Sequence, residues 1–313
     1  MNAESEKLRE LKMPHRADVE RYLLKWLFDH NGVIKEFGSR ESVVAELADK
    51  FHLSEEQKMA YLETIYRKEN RVKKAYLWHR LLFRAADSLA NQGFVRRPTQ
   101  ALKLTSRRQW MLTEKGLDKA LRIKKIPFSE KERLSIKSFE VERLARKIKK
   151  EIKPKNYSPI SKKKKIRQSK RINIRNRAFR QAVIEAYDHK CAVCGLKISS
   201  PKKPYQWEVE AAHIIPHSSN GKDDIWNGLS LCRFHHWSFD VGWYSFDEKY
   251  CIVVFDQLSK LPEKMGKFWN YRVMDQLSRR RNNVQLPKQA KLWPDLSAIK
   301  WHRENIFGGS NGE

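Results

Sequence analysis

"EVEAAHIIPHSSNGKDDIWNGLSLCRFHHWSFD", residues Glu208 to Asp240, packs four histidines, a cysteine and a central Asn220-Gly221 into one short stretch. Just upstream lies "CAVC", with Cys191 and Cys194 two residues apart. Cys232-Arg-Phe-His235 repeats that spacing later in the chain. A tight turn can present two ligands so spaced to one ion, and two such knuckles make a tetrahedral Cys3His site suited to zinc. The competing reading is a set of buried thiols in a hydrophobic core. The chain has four cysteines, three of them in this region, which favours metal ligation over a disulfide scaffold in a large intracellular protein. The fourth, Cys251 in the apolar run "YCIVVF", reads as core. The interval between the knuckles is too long for a short zinc ribbon, so another element must be inserted there. That insert begins with strand-like "WEVEAAHII", which ends at Pro216, and continues as the polar loop "HSSNGKDD".

The rest of the chain frames this segment. With 313 residues, 40% of them hydrophobic, there is material for two domains with buried cores. The formal net charge of +28 points to a polyanionic partner, nucleic acid first and an anionic membrane surface second. No apolar run reaches the length of a membrane span, and "MNAESEKLRELKMPHR" lacks a signal-peptide core, so a cytoplasmic protein is expected.

Residues 1–125 are expected to form one domain. Val19, Leu23 and Leu27 recur at helical spacing and Asn31-Gly32 stops that helix. "SRESVVAELADKF" follows, with Ser39 as the N-cap, and then a helix carrying Leu77, Trp78, Leu81, Leu82, Ala85 and Leu89. Two strand-like pieces, "GFVRRP" and "RRQWMLT", flank a turn at Pro98-Thr99, and "TEKGLDKAL" closes the unit as a helix. Residues 126–171 read as a mobile basic linker: from Arg146 to Arg180 Lys and Arg recur throughout, with Glu151 the single acid. Such a tether can lie along phosphates and release counterions, and Lys162, Lys163, Lys164 and Lys165 are its densest run. Residues 172–313 form the second domain, opening with a helix over "RNRAFRQAVIEAYDHK".

The order His213 in "AAHI", Asn227 in "NGL" and His236 in "CRFHHWSFD" resembles the HNH endonuclease family, whose ββα-metal finger is built from two strands and a helix. The resemblance is close over Arg175–Tyr244 and extends more loosely into "NNVQLPKQAKLWPDLSAIKWHRENIF". It implies a phosphodiester hydrolase in which neutral His213 deprotonates water, Asn227 pins the loop, and His236 holds one divalent ion, magnesium or another. His235 then completes the structural zinc site, and Asp240, four residues beyond His236, is a further oxygen ligand. Ala212 stands where the family often has a metal-binding acid or histidine, and Glu210, one strand period earlier, either takes that role or orients partners. His217 is expected to face solvent or a phosphate, and His302 to pack.

The first domain, notably "YRKENRVKKAYLWHRLLFRAADSLANQGFVRR" followed by "WMLTEKG", resembles the winged-helix domain of Mrr-type restriction proteins. That implies double-stranded DNA as partner, with Arg96, Arg97, Arg107 and Arg108 flanking the wing as phosphate contacts. The combined expectation is an α+β chain: an N-terminal winged helix, a basic linker, and a zinc-supported HNH nuclease domain. It would cut DNA to 5′-phosphate and 3′-hydroxyl ends, as a homodimer because one finger cuts one strand. The alternatives are a modification-dependent endonuclease that senses a methylated base, a zinc-containing DNA-binding regulator that does not cut, and an RNA-directed enzyme.

Overall fold

The computed structural model describes residues 3–37, 42–66, 71–161, 169–202, 206–254 and 284–307. The chain divides into two compact units, Met1–Glu140 and Val141–Glu313. Ser39 and the four lysines at 162–165 lie outside the described residues.

The first unit runs α1 (Ala3–Glu10), α2 (Arg16–Asp29), β1 (Val33–Lys35), α3 (Ser42–Lys50), α4 (Glu55–Met59), β2 (Tyr61–Tyr66), β3 (Arg71–Tyr76), α5 (Leu77–Asn91), β4 (Val95–Arg96), α6 (Pro98–Thr105), β5 (Gln109–Leu112) and α7 (Glu114–Ile123). Its core is the seam of α2 and α5, where Val19, Leu23, Leu27 and Phe28 bury against Leu77, Leu81, Leu82, Ala85 and Leu89. Trp78 is buried in the same core and its indole N–H donates to the Val44 carbonyl at 2.8 Å, so the ring fills volume without stranding its donor. Helix α2 ends where expected. Gly32 has φ +79°, and a Cβ there would lie 2.0 Å from the Lys137 carbonyl oxygen, so the position requires glycine on both counts.

The strands differ from expectation. β1, β5 and β4 form one antiparallel sheet in that order, and β2 pairs with β3 as a separate hairpin from Tyr61↔Tyr76 to Tyr66↔Arg71. In place of a simple turn at Pro98-Thr99, helix α6 separates β4 from β5, because Pro98 sits at its first position, where a missing N–H costs nothing. The strand-like piece at 93–98 is therefore a short edge of a three-stranded sheet, and the piece at 107–113 is its centre, pairing also with Val33–Lys35.

The basic stretch is also more ordered than a mobile linker. Helix α8 (Phe139–Lys150) buries Val141, Ala145 and Ile148 in the core of the second unit, while Lys147 and Lys150 face outward and Lys149 pairs with Glu185. Residues 157–161 then lie along the loop of the opening sequence. The Tyr157 hydroxyl donates to Asp224 at 2.7 Å, Lys222 N–H donates to Pro159 at 3.0 Å, and Ser161 N–H donates to Asn220 at 2.9 Å. Apolar residues every three to four positions give α8 a buried face that the surrounding charge obscures.

The second unit continues with α9 (Ser169–Ala186), β6 (Val209–His213), β7 (Gly228–Cys232), α10 (Arg233–Asp240), β8 (Tyr244–Phe246), β9 (Ile252–Val254) and α11 (Leu296–His302). β6 and β7 pair antiparallel, Val209 opposite Cys232 and His213 opposite Gly228. Gly228 lets α9 lie close: a Cβ there would be 2.4 Å from a Val183 methyl. His302 is a packing residue. It is fully buried, stacks on Phe239 with ring centres 3.6 Å apart, contacts the Phe239 carbonyl through Nε2 and the Ser245 hydroxyl through Nδ1. Burial pushes its pKa down to about 4. An unfolded histidine binds a proton near pH 6.5, so this group contributes stability above that pH and loses it as pH falls toward 4. Taking the protein from pH 7 to pH 5 is expected to cost roughly 2 kcal/mol at this site. His302→Gln, compared with the parent by urea unfolding at both pH values, is expected to flatten that part of the pH dependence.

Candidate active site and metal centre

The two knuckles meet. Cys191 and Cys194 form a turn in which Gly195 N–H donates to Cys191 O at 2.9 Å, and Gly195 follows with φ +73°. Cys232 ends β7 and His235 stands on the first turn of α10. Cys194 Sγ is 4.0 Å from Cys232 Sγ, and His235 Nδ1 is 3.1 Å from Cys232 Sγ and 3.7 Å from Cys191 Sγ. All four ligand atoms lie within 4.8 Å of one another. The edges of a tetrahedron built on Zn–S bonds of about 2.3 Å are about 3.8 Å, so the donor set fits a Cys3His ion with small side-chain shifts. Three sulfur atoms this close hold the Cys191 thiol far below its ordinary range, first through hydrogen bonds from Cys194 and Cys232, and thiolate is the ligating form. The buried-thiol reading explains none of this convergence.

His213 ends β6 and stacks face to face on Phe179 of α9, with ring centres 4.1 Å apart and planes 18° apart. Its Nε2 is 3.1 Å from Asp223 Oδ1. Asp223 is almost fully buried, and its other oxygen takes Arg175 Nε at 3.1 Å. His217 joins the same group, Nε2 3.0 Å from Asp223 Oδ1 and its ring 4.2 Å from that of His213. The sequence places His217 facing solvent or a phosphate; it is partly exposed and is bonded to Asp223 as well. Asp223, Arg175 and Phe179 are site residues that sequence reasoning missed. Nothing local marks them, since they come from a polar loop and from one face of α9.

Asn227 is fully buried and ties the loop shut. Its side-chain oxygen accepts from Ile215 N at 2.9 Å, and its amide nitrogen donates to Ile215 O and Lys222 O, each at 3.0 Å. Its backbone oxygen accepts from Ile214 N at 3.0 Å. Gly221 sits in this clamp, where a Cβ would be 1.8 Å from Ile215 O and 2.9 Å from the Asn227 amide. The backbone just after His213 is thereby held from across the loop.

His236 lies on α10 between two carboxylates. Its Nδ1 is 3.1 Å from Glu210 Oε2, and its Nε2 is 3.4 Å from Asp240 Oδ2. Arg180 and Arg233 also approach Glu210, at 3.7 and 3.9 Å. The His236 hydrogen bond, ahead of the arginines, holds the Glu210 carboxyl below its usual range. Because Glu210 and Asp240 address opposite nitrogens of one ring, only one of them can share an ion with a given nitrogen of His236.

In the first unit, three of the four arginines beside the sheet are engaged by acids. Arg96 meets Glu140 at 3.6 Å, Arg97 meets Asp87 at 2.7 Å, and Arg108 meets Glu36 at 2.5 Å. Arg107 is exposed and makes no ion pair among the described residues.

Among the described residues no helix is long and apolar enough to cross a membrane. No curated protein matches the chain. A solved structure described as a modification-dependent TagI restriction endonuclease is similar over 41% of this chain and 37% of that one, at 23% identity and a TM-score of 0.28. The chain thus spans well under half the length of that protein. The family model for HNH endonuclease matches residues 191–247, a segment that begins at the first knuckle cysteine and runs just past β8. The two-stranded unit β6–β7, the helix α10 and the clamp between them all fall within this segment, so the match to an HNH endonuclease domain covers the part of the chain that holds His213, Asn227 and His236.

Proposed function

We propose that this nuclease cuts double-stranded DNA as a restriction-type enzyme, with the first unit as a winged-helix reader and the second as the cutter. The observation that carries the mechanism is the bond between His213 Nε2 and Asp223. A carboxylate can only accept, so it fixes the imidazole proton on Nε2 and the lone pair on Nδ1. Nδ1 then takes the proton from a water beside the phosphodiester. Phe179 stacks flat on the ring and the Asn227 clamp fixes the backbone next to it, so the base is held at one orientation. This arrangement contributes through positioning as well as proton transfer.

His236 and Asp240 hold the catalytic divalent cation, with Glu210 accepting from Nδ1 so that the Nε2 lone pair faces Asp240. When bound, that ion stabilises the charge that builds on the phosphate and the departing 3′-oxygen. Glu210 is thus an orienting residue, and the position vacated by Ala212 needs no substitute ligand. Cys191, Cys194, Cys232 and His235 hold a structural zinc ion that fixes α10 to β7.

The order α2, β1, α3, α5, β4, β5 with the sheet order β1-β5-β4 supports the winged-helix reading of the first unit. Arg107, exposed and unengaged by any acid among the described residues, carries the phosphate contact there in preference to Arg96, Arg97 and Arg108. Arg107→Ala is expected to lower the slope of log affinity against log salt by about one, measured by fluorescence anisotropy on duplex DNA. One finger cuts one strand, so a homodimer on DNA makes the double-strand break. The products test the chemistry: hydrolysis to 5′-phosphate and 3′-hydroxyl ends gives nicks that DNA ligase reseals without prior kinase or phosphatase treatment. Nicks that ligase cannot close until the ends are repaired contradict it. Matched methylated and unmethylated plasmids in the same assay separate the modification-dependent form of the enzyme from the fixed-site form.

A further inference from the structure

His213, His217 and Asp223 bring two imidazoles and one carboxylate to a point, and the finger's cation needs none of His217. Each of the three offers one ligand atom, and these atoms all lie within 4.8 Å of one another. The two Nε2 atoms stand 3.1 and 3.0 Å from the same Asp223 oxygen. A tetrahedral ion with bonds of about 2.0–2.1 Å to nitrogen and oxygen needs ligand separations of about 3.4 Å, so small side-chain rotations suffice. Two nitrogens and one oxygen suit zinc or a similar borderline ion, and do not suit magnesium, which takes oxygen ligands and keeps its waters. The side chains of His213 and His217 are part exposed, at 17% and 40%, and Asp223 anchors the cluster from the interior.

We infer that His213, His217 and Asp223 form a second, inhibitory site for zinc or a like transition-metal ion, separate from both the cysteine cluster and the His236 cation. The inhibition rests on the reading of His213 as the base. An ion on Nε2 needs the lone pair there, so the imidazole proton passes through solvent from Nε2 to Nδ1. The nitrogen that would deprotonate water then carries a proton, and the base is switched off. Asp223 changes from hydrogen-bond acceptor to ligand through Oδ1 and keeps Arg175 on Oδ2. Binding at this site and catalysis by His213 exclude one another.

Calorimetric titration of zinc into the full chain tests the site apart from activity. The chain is purified with its cysteine-held zinc counted by metal analysis and carries His236→Ala to remove the finger's cation site. One further equivalent is expected to bind, and adding His217→Ala or His217→Gln is expected to abolish that equivalent. In parallel, the chain with His236 intact is assayed for plasmid nicking in saturating magnesium. Zinc at ten times the measured Kd is expected to slow nicking about tenfold, and each His217 variant is expected to nick at its own zinc-free rate whether or not zinc is added. No further equivalent, a further equivalent that survives both His217 substitutions, or equal zinc sensitivity in parent and variants each overturns the proposal. If the chain does not nick DNA at all, calorimetry still decides the metal site, and only the reading of His213 as base fails.

Discussion

Replacing His213 with alanine is expected to slow DNA nicking by roughly a hundred- to ten-thousandfold, the range in which a general base contributes, while leaving DNA affinity unchanged. The ring touches Phe179, His217 and Asp223, and its loss leaves Asp223 with Arg175 and His217 as partners, so the buried carboxylate keeps its charge compensated. The variant should therefore fold. Plasmid nicking at a fixed magnesium concentration and anisotropy on the same DNA separate the two effects. Equal nicking by parent and variant sinks the role of His213, and loss of affinity in step with rate marks it as a binding residue. Imidazole added to the buffer is expected to restore part of the lost rate, because the cavity vacated by the side chain is bordered by the flat face of Phe179.

The second large effect concerns the cysteine cluster. Cys232→Ser is expected to remove the cooperative thermal transition of the second unit. Structural zinc contributes on the order of 10 kcal/mol or more to folding in small metal-supported units, comparable to the whole stability of an ordinary domain. Cys232 is placed to do this, since it is both the last residue of β7, opposite Val209, and one residue before α10. Without the ion, three thiols and an imidazole remain packed against one another, and the link they make between the end of β7 and the first turn of α10 is lost. Differential scanning calorimetry of the parent, of the parent dialysed against a strong chelator, and of Cys232→Ser distinguishes the two readings of these cysteines. Chelator and substitution should give the same loss. A chelator-treated chain that keeps its transition identifies the cluster as plain buried thiols.

Much of the site is legible in the sequence because its spacing is local. Two-residue knuckles fix turn geometry before any tertiary contact forms, so Cys191, Cys194, Cys232 and His235 are readable directly and the structure brings all four together. The i,i+4 relation of His236 and Asp240, and the strand on which Glu210 stands, are likewise carried by helix and strand periods. What orients His213 is not local. Asp223 sits in a loop of polar residues, and nothing in "SNGKDD" distinguishes a buried acid from a solvated one. Phe179 and Arg175 come from α9, across a gap of more than thirty residues, and only tertiary packing selects them. The fold was hidden in a different way where charge dominates. The apolar face of α8 and the contacts of Tyr157 with Asp224 and Trp226 lie within a stretch whose composition reads as a tether. In the first unit, β1 has three residues and β4 two, below the length at which alternation can be recognised, so their sheet with β5 emerges only from pairing.

Supercoiled plasmid incubated with the full chain, once with magnesium and once with a chelator mild enough to leave the cysteine-bound zinc in place, tests cutting against mere binding. The expected result is retarded plasmid in both samples and open circles only in magnesium. Retarded plasmid that stays fully supercoiled in both, methylated and unmethylated alike, would contradict it and mark the chain as a DNA binder.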